Sequence, residues 1–405
     1  MLGLAFFVYK RPEHTKKVIE SIKRNKFEKV YIFQDGLKKE EDRGDWEEVS
    51  RLIKSIDFTD VEVHISEKNK GLANSIVAGM DYVFDRHETA IALEDDVLLA
   101  DDYKEFIETC LDKYHDNESV MSVCGGGYGT IIPQDYPYDI YFAYRMSSVA
   151  FATWRNRWKG FERNPLLLGK ILKDEDKKKK LELAGSDIPL LVRMSIMGEV
   201  DTWATYWVLH QIFNNGYHII PKRNYAVDIG RDGTGTNTRS ATSRYDIEIN
   251  EIDCKELTLP EEIYLDNRIL HDTKNLFATV TPEKRLKSYY EILLSWINRL
   301  HNNKTIETYF FNRHIEKIYI YGIGKLAELL YEEINNRVHV KGFIVENKGQ
   351  ESFVDIPLYD MQDDIVLDNI PILIIPSYDR AIIEHMFIKK GINNKLIYLE
   401  EVMED

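Results

Sequence analysis

Glu94-Asp95-Asp96 directly follows the apolar run Ile91-Ala92-Leu93. Adjacent carboxylates at a strand end can hold one divalent cation and set a sugar or phosphate against it. Mg²⁺ and Mn²⁺ are hard ions that take oxygen ligands. Such a cation neutralises a departing diphosphate, which is what an activated sugar nucleotide releases. The bland reading of the same tripeptide is an acidic strand end facing water. A second acidic pair lies in Glu199-Val200-Asp201-Thr202-Trp203, ahead of a helical pattern. Asp201, or failing it Glu199, suits a general base; Asp201 suits a helix N-cap equally well. His210, His218 and His271 could supply an extra metal ligand, but a lone His near aromatic residues is more often structural.

The elements that must position these groups follow from hydrophobic periodicity. Leu4–Tyr9, Lys29–Phe33, Val61–Ile65, Ala90–Leu93 and Val120–Cys124 read as strands. Helical spacing fills the intervals over Thr15–Arg24, Asp45–Ile56, Leu72–Phe84 and Tyr103–Tyr114. Strand and helix in alternation predict a parallel sheet with helices on both faces. Ligands of such sheets sit beyond the carboxyl ends of the strands. Those ends carry Tyr9-Lys10-Arg11-Pro12, Gln34-Asp35-Gly36, Asn69-Lys70-Gly71 and Glu94-Asp95-Asp96.

The texture then changes. Trp154, Trp158 and Trp203 either stack on sugar faces or fill a core. Lys177–Lys180 is balanced by Asp174, Glu175, Asp176 and Glu182, so it reads as a solvated face. Gly230–Ser243 is rich in Gly, Thr and Ser and is flanked by Arg231, Arg239 and Arg244. It holds little that could form a core. Residues 283–301 form an amphipathic stripe, read as a connecting helix. A second alternation begins at Ile318–Tyr321 and continues through Gly322-Ile323-Gly324, Val338–Val345 and Ile372–Ile375. The expected division is 1–250, a helical connection over 251–315, and a small α/β domain over 316–405.

Composition narrows the function. A chain of 405 residues is long for one domain. Its formal net charge of −15 argues against nucleic acid as a partner. Three cysteines cannot staple a fold of this size, and a reducing compartment fits them. The apolar stretches Leu2–Tyr9 and Ile370–Pro376 are far shorter than a membrane span. Leu2–Val8 lacks the basic leader of a signal peptide. The expected location is the cytoplasm, with peripheral association at the inner face of the membrane left open.

In order and spacing, the four strand-end motifs resemble the nucleotide-sugar glycosyltransferases of GT-A fold, in the broad family 2 type. Tyr9-Lys10-Arg11-Pro12 with Thr15 is similar to that family's first strand and helix. Gln34-Asp35-Gly36 is similar to its second strand end, and Asn69-Lys70-Gly71-Leu72-Ala73-Asn74 to the start of its third helix. Glu94-Asp95-Asp96 stands where the family has Asp-x-Asp. The spelling is similar to N-acetylglucosaminyltransferase I and its relatives, in which the last Asp carries the metal.

The resemblance implies an α/β GT-A domain using Mn²⁺ or Mg²⁺ held by Asp96 and Asp95. It implies a donor nucleotide against Tyr9, Arg11, Asp35, Asn69, Lys70, Gly71, Asn74, Glu94 and Asp95. Arg231 would reach the donor diphosphate, and Asp201 or Glu199 would activate the acceptor. The expected donor is a UDP-sugar and the expected acceptor a glycan or lipid-linked sugar. Residues 316–405 resemble the small Rossmann-like modules appended to sugar-modifying enzymes, with an assembly role, including self-association, or a binding role. Glu346 lies about twenty residues past the glycine turn, where dinucleotide folds place a ribose-binding acid. Rival readings are nucleotidyl transfer, an oxidoreductase run by the C-terminal domain, and a glycan-binding scaffold.

Overall fold

The computed structural model describes residues 2–230, 257–279, 282–346, 354–361, 363, 365–375 and 380–404. The chain forms two compact units, Met1–Ala241 with Tyr245–Phe277, and Ala278–Asp405 with the undescribed segment 242–244.

The first unit opens with β1 (Leu2–Val8), α1 (Pro12–Arg24), β2 (Lys29–Gln34) and α2 (Arg43–Lys54). β3 (Asp60–Ile65), α3 (Leu72–Phe84) and β4 (Thr89–Glu94) complete the alternation that the apolar spacing predicts. Next come β5 (Val97–Leu99), α4 (Tyr103–Lys113), β6 (Val120–Val123), β7 (Ile140–Ala143) and β8 (Phe151–Trp154). Four short helices follow: α5 (Arg155–Trp158), α6 (Leu166–Ile171), α7 (Glu175–Ala184) and α8 (Ile188–Ile196). The unit closes with α9 (Ala204–Phe213), β9 (Tyr217–Pro221), β10 (Ala226–Asp228) and α10 (Asn267–Leu276).

Eight strands form one sheet in the order β3-β2-β1-β4-β8-β6-β9-β7. β1 is central, parallel to β2 and β4, with Phe6 opposite both Ile32 and Leu93. All seven of its residues are buried, as a strand covered on both faces requires. The sheet is mixed, which corrects the all-parallel expectation. β8 enters antiparallel between β4 and β6, pairing Ala90 with Thr153. Its four residues, Phe-Ala-Thr-Trp, are too short for a period to show in the sequence. Thr153 Oγ1 donates to the carbonyl of Met121 at 2.6 Å and helps fix the register with β6.

Helices cover both faces, as expected. One core brings Val18 and Ile22 of α1, Ile53 of α2 and Phe106 of α4 against the sheet. The other brings Ile76 and Met80 of α3 with Trp158, Trp203 and Trp207. Each fully buried side chain of this size contributes roughly 1.5–3 kcal/mol. Trp154, Trp158 and Trp203 are therefore core residues. Lys177 and Lys178 on α7 pair with Asp174 and Glu175, the solvated face the sequence suggests.

In the second unit, α11 (Pro282–His301) and α12 (Ile306–Asn312) precede β11 (Lys317–Tyr321), α13 (Lys325–Ile334) and β12 (His339–Val345). β13 (Leu358–Asp360), β14 (Ile372–Ile374), α14 (Arg380–Lys389), β15 (Leu396–Tyr398) and α15 (Leu399–Glu404) follow. The sheet order is β13-β12-β11-β14-β15, parallel throughout. This is the Rossmann arrangement, in which strand order reverses beside the first strand. Ile292 and Trp296 of α11 join Phe310, Ile320, Leu330 and Phe343 in its core. Among the described residues, no helix is long and apolar enough to cross a membrane.

α3 lies close to β1 and β2 because position 79 lacks a side chain. A Cβ there would come within 2.5 Å of the ring of Phe7 and 3.0 Å of Phe33. Those two rings stack at 5.3 Å between centroids. Gly79→Ala is expected to lower unfolding stability by about 1–3 kcal/mol through overpacking, although alanine favours the helix itself. Denaturant melts of the two proteins measure it, and an alanine variant as stable as wild type would show that the helix has room to shift.

Candidate functional site

A cavity of about 300 Å³ opens at the carboxyl ends of β1, β2 and β4. Tyr9, Lys10 and Arg11 reach it from the turn after β1, and Asp35 from the end of β2. Asn69 and Gly71 enter from the loop before α3, and Glu94, Asp95 and Asp96 from the end of β4. Asp201 comes from the turn before α9. These groups are far apart in sequence and meet because the parallel strands all end at one edge.

Arg11 is the hub. Its Nη2 donates to Asp95 Oδ1 at 2.9 Å and to Asp96 Oδ2 at 2.6 Å. Asp95 Oδ2 accepts the backbone N–H of Tyr9 at 3.2 Å. Burial opposes charge on Arg11, but Asp95 and Asp96 together raise its pKa and keep it protonated. The carboxylates outnumber it. Glu94 is pushed well above the ordinary carboxyl range by burial and by Asp96, Asp228 and Asp95. Asp95 is pushed up to about 6 by burial, against the pull of Arg11. Arg11 Nη1 is buried with no hydrogen-bond partner among the described residues.

Gly230 lets the chain pass beside this cluster. A Cβ at that position would sit 2.2 Å from Asp96 Oδ2 and 2.9 Å from Arg11 Nη1. Its N–H donates to Asp228 Oδ1 at 2.8 Å, and β10 pairs Asp228 with Val97 beside Asp96. Asp228 is a site residue that sequence reasoning missed. The only signal was the short run Ala226-Val227 ending in an acid ahead of the glycine-rich segment.

Asp35 is committed to the backbone. Its Oδ1 accepts the N–H groups of Gly36 and Lys70 at 2.8 Å each, and its Oδ2 that of Gly71 at 2.9 Å. Asn69 Nδ2 donates back to the carbonyl of Gly36 at 2.8 Å. Position 36 must be glycine for this crossing, since a Cβ would lie 2.3 Å from the carbonyl carbon of Lys68. Asp35 thus shapes one wall while facing the cavity.

Asp201 does not cap its own helix. Thr202 Oγ1 accepts the N–H of Thr205 there, at 3.3 Å. Asp201 Oδ2 instead accepts the N–H of Ala73 in the first turn of α3 at 3.2 Å, and Oδ1 accepts from Arg163 Nη2 at the same distance. Arg163 Nη1 also donates to Asn74 Oδ1 at 2.9 Å. The carboxylate is anchored to the start of α3 by these contacts.

Other expected residues do not converge. Lys70, Asn74 and Glu199 are exposed and absent from the cavity lining. Arg231, Arg239 and Arg244 lie outside the described residues. His210 and His218 are buried in the core, and His271 is exposed away from the cavity. Lys38, Ser75 and Val149 line it without having been anticipated.

Among the described residues, no three His, Cys, Asp or Glu side chains stand together as a ready metal cage. The donor chemistry still suits a hard divalent ion, because Glu94, Asp95, Asp96 and Asp228 gather carboxyl oxygens around Arg11. Arg11 competes with such an ion for Asp95 and Asp96.

No family model and no curated protein sequence matches the chain. Among solved structures, the mannosyltransferase PcManGT from Pyrobaculum calidifontis, in complex with GDP-Man and Mn²⁺, is 10% identical with a TM-score of 0.32. That likeness covers 53% of this chain and 68% of the other. HddC from Yersinia pseudotuberculosis is 14% identical with a TM-score of 0.27, over 38% of this chain and 78% of that one. Likenesses this distant decide nothing about the site.

Glu94 allows a test of the charge imbalance. Its pKa is higher folded than unfolded, so its ionisation costs stability as pH rises through the carboxyl range. In the protein stripped of divalent ions, Glu94→Gln is expected to raise the Tm at pH 7. The gain should vanish near pH 4. Thermal melts across that range check both statements, and a Gln variant less stable at pH 7 would contradict the imbalance.

Proposed function

We propose that the chain is a GT-A glycosyltransferase, moving a sugar from a nucleotide-sugar donor, a UDP-sugar, to a glycan or lipid-linked acceptor in surface polysaccharide synthesis. One observation carries this reading: the chemistry-bearing residues of four strand-end segments, together with Asp201, line a single cavity. Glycosyl transfer needs a nucleotide seat, a means of neutralising the departing diphosphate, and a base for the acceptor. The cavity offers a candidate for each.

The nucleotide lies against Asp35 and the 69–71 loop, whose backbone is already ordered by that carboxylate. Ordering in advance lowers the entropic cost of binding. Asp96 and Asp95 would hold Mn²⁺ or Mg²⁺, whose chemistry there is to offset diphosphate charge. Arg11 supplies a fixed positive charge at the same place.

Asp201 takes the proton from the acceptor hydroxyl as its oxygen attacks the anomeric carbon. The bond to the diphosphate oxygen breaks on the opposite side, so configuration inverts. Its bonds to Ala73 and Arg163 hold the carboxylate in one orientation, which is what a base must have to act in a single displacement.

A thermal-shift panel of nucleotide sugars with and without Mn²⁺ is expected to show a UDP-sugar that stabilises the protein, more strongly with the ion. Asp96→Asn should remove the ion-dependent part. Asp201→Asn should lower transfer by about 10²–10⁴-fold while donor binding persists. Silence across the whole panel, or wild-type turnover in Asp201→Asn, would sink the assignment.

A further inference from the structure

Between β8 and α9 the first unit carries more apolar side chains than it buries. Leu166-Leu167-Leu168 opens α6, and Ile188-Pro189-Leu190-Leu191-Val192 opens α8. Among the nine residues of α8 the one charged side chain is Arg193. A helix apolar on every side is expected to be buried on every side. In α8 only Ile188 and Val192 are buried, one turn apart on a single stripe. Ile196 at its end and Met197 after it are each 64% exposed. α6 repeats the pattern, with Ile171 buried and Leu166 73% exposed.

The two helices present these side chains beside one another. Both pack on α9, where Tyr206 is their shared neighbour. The guanidinium of Arg163, three residues before Leu166, lies 5.7 Å from the centre of the Tyr206 ring. The Tyr206 hydroxyl donates to Ser195 Oγ at 3.2 Å, next to Ile196. Backbone bonds hold the corner after α8 firmly. Gly198 has φ of +75°, and the N–H of Glu199 donates to the carbonyl of Met194 at 2.9 Å, the helix-ending pattern that a left-handed glycine permits. Ile196 and Met197 are thus held outward on a fixed corner, and their display costs no further ordering. The same corner leads to Asp201, which Arg163 also bonds.

Charge decides what covers this surface. The whole chain carries −15, yet residues 159–173 hold Lys159, Arg163, Lys170 and Lys173 against the single acid Glu162. Lys170 and Lys173 are exposed, and so is Arg193 on α8; Glu199, beyond the corner, is an exposed acid. In α7, by contrast, Lys177 and Lys178 pair with Asp174 and Glu175. A second copy would set this basic surface against itself, because a two-fold contact brings the same patch together twice. An anionic bilayer offers an apolar layer for the exposed side chains and negative charge for the cations around them.

We infer that the first unit docks on an anionic membrane surface through α6 and the end of α8. Leu166, Ile196 and Met197 enter the boundary between headgroups and acyl chains, and Lys170, Lys173 and Arg193 meet lipid phosphate. For its purpose the inference rests on the transfer reading above and narrows it. A surface seated on the bilayer beside Asp201 meets an acceptor whose sugar stands on a lipid.

Co-sedimentation of the intact chain with lipid vesicles tests the docking. Vesicles of phosphatidylcholine and phosphatidylglycerol in equal parts are expected to bind the protein, and vesicles of phosphatidylcholine alone to bind it about tenfold more weakly. Ile196→Ser combined with Met197→Ser should weaken binding to the mixed vesicles about tenfold, and so should Lys170→Glu combined with Lys173→Glu. These side chains are exposed, so both variants should melt at the wild-type temperature. Absence of binding to the mixed vesicles overturns the inference, as does binding that neither pair of substitutions weakens. A wild-type dimer that either pair dissolves also overturns it, by making the surface a contact between copies. Vesicle binding and the nucleotide-sugar panel are read separately, so failure of the docking and failure of the transfer reading are distinct results.

Discussion

Everything in the first unit's site turns on one guanidinium among too many carboxylates. Arg11 bonds both Asp95 and Asp96, yet Glu94 and Asp228 bear on the same small volume. Inside a protein such an imbalance is expensive, because burial weakens the solvent screening that like charges rely on. Burial first, and the neighbouring carboxylates after it, push Glu94 and Asp95 above the ordinary carboxyl range. A core built for stability alone would have no use for the arrangement. The arrangement matches the cation chemistry proposed for the site.

The scaffold makes this imbalance tolerable by being rigid around it. β1 is buried along its whole length and paired on both sides, so the turn bearing Arg11 starts from a fixed point. Gly230 brings the chain after β10 close to Asp96. Asp35 spends both oxygens on three backbone N–H groups and locks the 69–71 loop. Asp201 then ties the turn before α9 to the first turn of α3. Ordering by buried hydrogen bonds is strong because each broken bond would leave an unsatisfied polar group.

Much of this was legible in the sequence, and the boundary of legibility has physical causes. β1 to β4 and their helices were clear because long apolar periods dominate local propensity. The convergence of Arg11, Asp35, Asn69, Gly71 and the 94–96 carboxylates followed from a general property of parallel sheets. β8 was not visible, since four residues cannot display a period and its partners lie far away in sequence. Asp228 was missed because β10 has only three residues and its importance comes from pairing with β5. Lys70, Asn74 and Glu199 were included for their neighbours in sequence, but their side chains sit at exposed positions off the cavity. The sequence makes Asp201 a candidate for either base or N-cap, and the structure shows that a carboxylate can anchor a different helix from the one it precedes.

That last point bears on how the site is organised as chemistry. A carboxylate held only by its own turn would move with that turn. Asp201 is fixed from two sides, by α3 through Ala73 and by Arg163, which also holds Asn74 on α3. α3 is in turn packed against β1 and β2 through the glycine at 79, and β1 leads directly to Arg11. Asp201 and Arg11 are therefore positioned from one helix–strand pair. For the displacement proposed above, a fixed separation of the two groups matters because the reacting atoms must stay aligned between them.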